Sequence, residues 1–222
     1  MSVYSPDKKL VFIHIPKTGG TSVLVWMRQY AKARDKFGKH ARICDFKERI
    51  DYFVTCRNPY EKLLSWYFFR IRRLNEEIEK GKSKVIVPEF VPYNLTNEQA
   101  LEKWYLEPGF EGWLKDLKFS DAYKKIENGI HEHPDWGAVV KQIDYIDFKR
   151  PPKFILKTET LDEDFKVIQH FFNCNKPLET KNVSKQAKAI DFYTPELANY
   201  VYENWKEDFE YFGYDREIKT YK

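Results

Sequence analysis

The chain has 222 residues, the length of one domain, and can bury a sizeable core without disulfides or metals. Its 38 basic and 34 acidic residues leave a formal charge of only +4, too mild to argue for nucleic acid, and 42% hydrophobic with 17% aromatic content excludes a disordered chain. Three cysteines without metal spacing exclude a zinc site or disulfide framework, and no stretch reaches the ~18 apolar residues of a membrane span.

The first element is a strand at Leu10 to Ile15, running into Lys17-Thr-Gly-Gly-Thr-Ser22 and then a helix from about Thr21 to Arg34. Gly19 and Gly20 let the backbone turn tightly enough to aim several N–H groups at one anion. Thr18, Thr21 and Ser22 add hydroxyls and Lys17 adds a charge, so the segment reads as a phosphate cradle. It is not the GxxxxGK[ST] loop, which puts its lysine and the magnesium-holding hydroxyl after the glycines, whereas here Lys17 comes before them.

A second strand is expected at Tyr52 to Cys56, with Arg57 at its end and Asn58-Pro59 as the cap and first residue of a helix. That helix carries an apolar stripe of Leu63, Tyr67, Ile71 and Leu74, and the mixed charges from Arg70 to Lys84 read as a solvated face. Between about 81 and 150 the pattern loosens into short helical pieces with scattered prolines and aromatics, an elaboration that would shape an acceptor pocket. A third strand follows at Lys153 to Lys157, then Thr160-Leu-Asp-Glu163 in the form of a capping box before a helical run from Phe165 to Phe172. A last helix opens at Thr194-Pro195 with Leu197, Val201, Trp205 and Phe209 as a core stripe. Strands alternating with helices predict one α/β domain over 1–222, a P-loop-like, mainly parallel sheet flanked by helices. Ligands in such sheets sit beyond the carboxyl ends of the strands, where Arg57 and the helical Ser65 can join the first loop. A guanidinium and a hydroxyl suit a second phosphate.

With Pro16-Lys-Thr-Gly-Gly-Thr-Ser22 and Arg57-Asn-Pro…Ser65 together, the chain resembles the sulfotransferases that use 3′-phosphoadenosine 5′-phosphosulfate (PAPS). The resemblance implies that Lys17, Thr18, Gly19, Gly20, Thr21 and Ser22 hold the 5′-phosphosulfate, and that Arg57 and Ser65 hold the 3′-phosphate. Lys17 would neutralise the charge that builds on the departing phosphate, leaving the product PAP, and the scheme needs no metal. Phe154 to Phe165 and Trp205 to Tyr214 look like the family's late strand-to-helix segment and its closing signature, both structural in role. Lys185 lies where relatives close a polar loop over the nucleotide.

Of five histidines, His14 and His170 read as structural, and His40 falls in a Gly-x-His segment similar to that of the heparan sulfate 2-O-sulfotransferase branch. There a histidine is the general base, and an ordinary pKa of about 6.5 suits His40 to that task near neutral pH. His131 and His133 flank Glu132 in a loop without an evident third ligand, and His133 with Trp136 are candidate acceptor contacts. The animal enzymes of that branch are anchored, disulfide-bonded Golgi proteins, whereas this chain has neither feature and looks like a compact, soluble, cytoplasmic member. The expected acceptor is therefore a hydroxyl of a carbohydrate-like or other small molecule. Nucleic acid is not an expected partner. A P-loop kinase using ATP and a nucleotide-binding module without turnover are the alternative readings.

Overall fold

The computed structural model describes residues 2–35, 42–43, 49–81, 95–117, 135–179 and 188–218. Its centre is a five-stranded sheet in the order β3-β1-β2-β4-β5, built from β1 (Val3–Ser5), β2 (Leu10–Ile13), β3 (Arg34–Asp35), β4 (Asp51–Cys56) and β5 (Phe154–Lys157). β2 pairs parallel with β4, and β4 with β5, whereas β1 pairs antiparallel with both β2 and β3. The expected mainly parallel sheet is thus corrected to a mixed one. The tight turn after Ser5, with Lys9 at φ 49°, folds the N-terminus back along β2 as a hairpin.

Alternation along the strands divides the core into two layers. Leu10, Phe12, Phe53 and Leu156 face helix α1 (Gly20–Tyr30), while Val11, Ile13, Tyr52, Val54 and Cys56 face helix α2 (Pro59–Glu79). Both faces of the central strands are covered, which is why β2 is apolar at every position.

Helix α1 stops at Tyr30, short of the expected Arg34. Lys32 enters the left-handed region at φ 50°, the Ala33 N–H returns to the Met27 carbonyl, and Arg34 and Asp35 are drawn onto the edge of β1 instead. Helix α2 begins as its sequence predicts: the Asn58 side chain accepts the Tyr60 N–H at 3.0 Å, and Pro59 occupies the first turn. Leu63, Tyr67 and Leu74 are buried along its stripe with Ile71 packed at the margin, and on the outer face Arg73 pairs with Glu76 and Glu77.

The two threonines expected at helix starts behave differently. Thr194 is extended (ψ 162°) and accepts the Leu197 N–H, opening the helix Pro195–Asn204. Thr160 closes a short 3-10 turn at ψ 26° and makes no cap, so the capping box expected there does not form. The extended backbone that lets a side-chain oxygen reach back is missing. The stripe Leu197, Val201, Trp205 and Phe209 is buried, although the helix breaks at Trp205 and resumes at Lys206–Phe212.

Within the 81–150 stretch, helical turns at Asn97–Leu101, Glu102–Leu106 and Gly109–Asp116 pack on α2. They are tied to it through Asp135. This carboxylate is 3% exposed and accepts the Trp66 and Trp113 indole N–H groups at 2.8 and 3.0 Å and the Tyr105 hydroxyl at 3.0 Å, with the Arg70 guanidinium 3.5 Å away. Gly137 follows because a Cβ there would lie 2.2 Å from the Trp66 ring.

Candidate active site

Parallel register sets Ile13 beside Val54 and Cys56 beside Lys157, so three connections leave the same edge of the sheet: His14 to Gly19, Arg57-Asn58, and Thr158 to Thr160. This is the edge where α/β sheets bind ligands.

The first connection is held from below. The Thr18 hydroxyl donates to the Ile15 carbonyl at 2.8 Å and lies 2.6 Å from the Thr55 hydroxyl, both side chains being fully buried. Its proton is therefore committed to the loop, which removes Thr18 from the hydroxyl donors expected to face an anion. Gly19 stands at φ 74°, and a Cβ there would come within 3.2 Å of Leu161 and 3.3 Å of Thr158. Gly20 is dictated differently: its missing side chain leaves room for the His14 ring, which a Cβ would approach to 2.3 Å. The His14 ring is buried against Gly20.

Helix α1 starts at Gly20 with no side-chain cap and no acidic residue in its first turn. Thr21 is exposed and Ser22 buried in that turn. An uncapped N-terminus of an eleven-residue helix presents main-chain N–H groups and the positive end of its dipole.

Two cations stand at this opening. Lys17 is itself left-handed at φ 66°, a conformation a residue with a Cβ enters only at a cost. Its ammonium lies 4.3 Å from the centre of the Phe69 ring. Burial, then the nearby Arg57 and Arg72, lower its pKa to about 8. Arg57 leaves β4 with its guanidinium turned to the same loop: Nη1 donates to the Lys17 carbonyl at 3.5 Å and Nη2 to Glu61 Oε2 at 3.3 Å. Its side chain is only 9% exposed, and burial lowers its pKa against the opposing pull of Glu61 and Glu159.

Glu61 and Phe69 flank Ser65 at intervals of four along α2. Since Glu61 touches Arg57 and Phe69 touches Lys17, the half-buried Ser65 between them shares the face that looks onto the two cations. Thr158 closes the third side, its hydroxyl donating to the Cys56 carbonyl at 2.8 Å. The structure thus brings Lys17, Thr18, Gly19, Gly20, Thr21, Ser22, Arg57 and Ser65 to one end of the sheet. His40, His131, His133 and Lys185 lie outside the described residues, and Trp136 opens the short helix Trp136–Val139.

Sequence reasoning passed over Glu61, Phe69, Gln142 and Glu159. The first two carry a signal, being spaced by four from Arg57 and Ser65. Gln142 and Glu159 carry none, since each meets the Arg57-Asn58 turn across 85 and 101 residues of chain.

An uncapped helix start, a glycine-lined turn and a buried guanidinium with two long contacts among the described residues form a donor set that suits a doubly anionic ligand. Residues 1–215 match the family model described as Sulfotransferase family. The chain belongs to the sulfotransferase family. No curated protein and no solved structure matches it. Membership makes it a transferase of sulfuryl groups. Among the described residues no helix is long and apolar enough to cross a membrane.

Proposed function

We propose that this sulfotransferase takes PAPS as its donor and a hydroxyl of a carbohydrate-like or other small molecule as its acceptor. The observation that supports this most is the approach of the Arg57 guanidinium to the Lys17 turn, which brings two anion-directed elements from distant parts of the chain together. Bound there, PAPS supplies the sulfuryl group. The N–H groups at the start of α1, with Thr21 and Ser22, would hold the 5′ end, and Arg57 with Ser65 the 3′-phosphate. Lys17 would keep its proton at the bridging oxygen of the phosphate as that oxygen gains charge. His40 would accept the acceptor's proton on a ring nitrogen as the acceptor oxygen bonds to sulfur. Lys185 would close over the nucleotide, and His133 and Trp136, in the 81–150 elaboration, would face the acceptor.

Transfer of labelled sulfuryl from PAPS to a panel of sugars and small alcohols, run beside competition between PAP and ATP with magnesium, tests the reading. Transfer is expected together with preference for PAP, and His40→Ala is expected to lower transfer by roughly 10²- to 10⁴-fold. Preference for ATP would overturn the donor, and equal transfer by His40→Ala would overturn the base.

A further inference from the structure

The residue that carries the guanidinium is itself gripped by its main chain. Arg57 follows the last paired residue of β4, so neither its N–H nor its carbonyl has a place in the ladder, and the residue is 8% exposed. Gln142 supplies both partners: its Oε1 accepts the Arg57 N–H at 2.8 Å, and its Nε2 donates to the Arg57 carbonyl at 2.8 Å. This two-point contact needs one acceptor and one donor on a single side chain, which a carboxamide provides. Gln142 is fully buried and seated in turn by Asp208, whose carboxylate accepts the N–H groups of Gln142 and Ile143 at 2.9 Å each. Asp208 is equally buried and lies on the helix Lys206–Phe212.

The guanidinium's own contacts are long, 3.3 and 3.5 Å, whereas the grip on its main chain is short on both sides. The direction of this side chain is therefore fixed chiefly at its root. We propose that Gln142, seated by Asp208, is a positioning residue that aims the Arg57 guanidinium at the 3′-phosphate of the nucleotide. The proposal rests on the reading of Arg57 given above. It assigns part of nucleotide recognition to the C-terminal helix, which has no described contact with the cradle itself.

The test compares PAP with adenosine 5′-phosphate, which lacks the 3′-phosphate, by calorimetric titration of the full chain. Wild type is expected to prefer PAP, and Arg57→Met to lose that preference. Gln142→Met keeps the length of the side chain but neither polar atom. It is expected to weaken PAP by about tenfold while adenosine 5′-phosphate changes by less than about twofold. Asp208→Asn, which leaves the Gln142 side chain in place, is expected to shift the same ratio less, and it carries the test if Gln142→Met does not fold. Tyr105→Phe, in the Asp135 cluster and without a described contact to Arg57 or Gln142, controls for general loosening and should leave the ratio unchanged. A wild-type ratio in the folded Gln142 or Asp208 variant, or an equal loss of both nucleotides, overturns the positioning role. An unchanged ratio in Arg57→Met overturns the reading of Arg57, and the proposal falls with it.

Discussion

Asp135 and Arg57 are both charged side chains taken almost wholly out of water, yet their surroundings differ. Asp135 is met by two indoles, a phenol and a guanidinium, so its lone pairs are spoken for within the fold. Arg57 has five N–H donors and, among the described residues, spends two of them on partners at 3.3 and 3.5 Å. A buried charge that is saturated by its neighbours serves architecture, whereas one whose donors are kept half-committed is available to a ligand. The same contrast separates Thr18, closed against Ile15 and Thr55, from the uncapped start of α1 beside it.

The comparison breaks if the two charges respond alike to removal. Asp135→Ala leaves two indole N–H groups and the Tyr105 hydroxyl without their acceptor, and is expected to cost about 3–5 kcal/mol in denaturant unfolding. The fraction that stays folded should bind PAP with wild-type affinity. Arg57→Met is expected to do the reverse, weakening PAP by roughly 10- to 100-fold in calorimetry, the range of one or two charge-assisted hydrogen bonds. Its stability should stay within about 1 kcal/mol of wild type, because Glu61 keeps the Ala189 N–H and access to solvent. Loss of folding in Arg57→Met without loss of affinity would erase the distinction.

A smaller effect sharpens it. Burial and two neighbouring cations hold the Lys17 pKa near 8, well below the ordinary value for lysine. The ligand-free protein therefore carries the cation below about pH 8 and loses it as pH rises. PAP affinity should be highest on the acid side and decline as pH passes 8, and Lys17→Arg, which keeps its charge, should flatten that decline. A decline that persists in Lys17→Arg would place the titrating group elsewhere.

Much of this site is legible in the sequence because its parts are local. The Lys17 to Ser22 turn, the Asn58-Pro59 helix start and the position of Arg57 after a strand are each written within a few residues. What escapes is written across the chain. The hairpin partner β1 is three residues long, preceded by the buried Ser2 and ending on the buried Ser5, too short and too polar to show a strand period. Thr160 and Thr194 both precede a helix, but Pro195 holds Thr194 in the extended backbone a cap needs, whereas Thr160 stands at ψ 26°. Gln142 and Glu159 join the site through contacts that no spacing rule reaches. Gly20 shows the converse, a residue of the cradle whose identity is set by His14 beneath it.

The left-handed backbone of Lys17 carries a lesson for engineering. Glycine at that position would relieve about 1 kcal/mol of conformational cost and also remove a cation crowded by Arg57 and Arg72. Lys17→Gly is thus expected to melt a few degrees higher than the parent in calorimetry while transferring nothing. Selection for heat resistance alone would drift toward a hardier, silent protein, and any such screen on this scaffold needs turnover as its second gate.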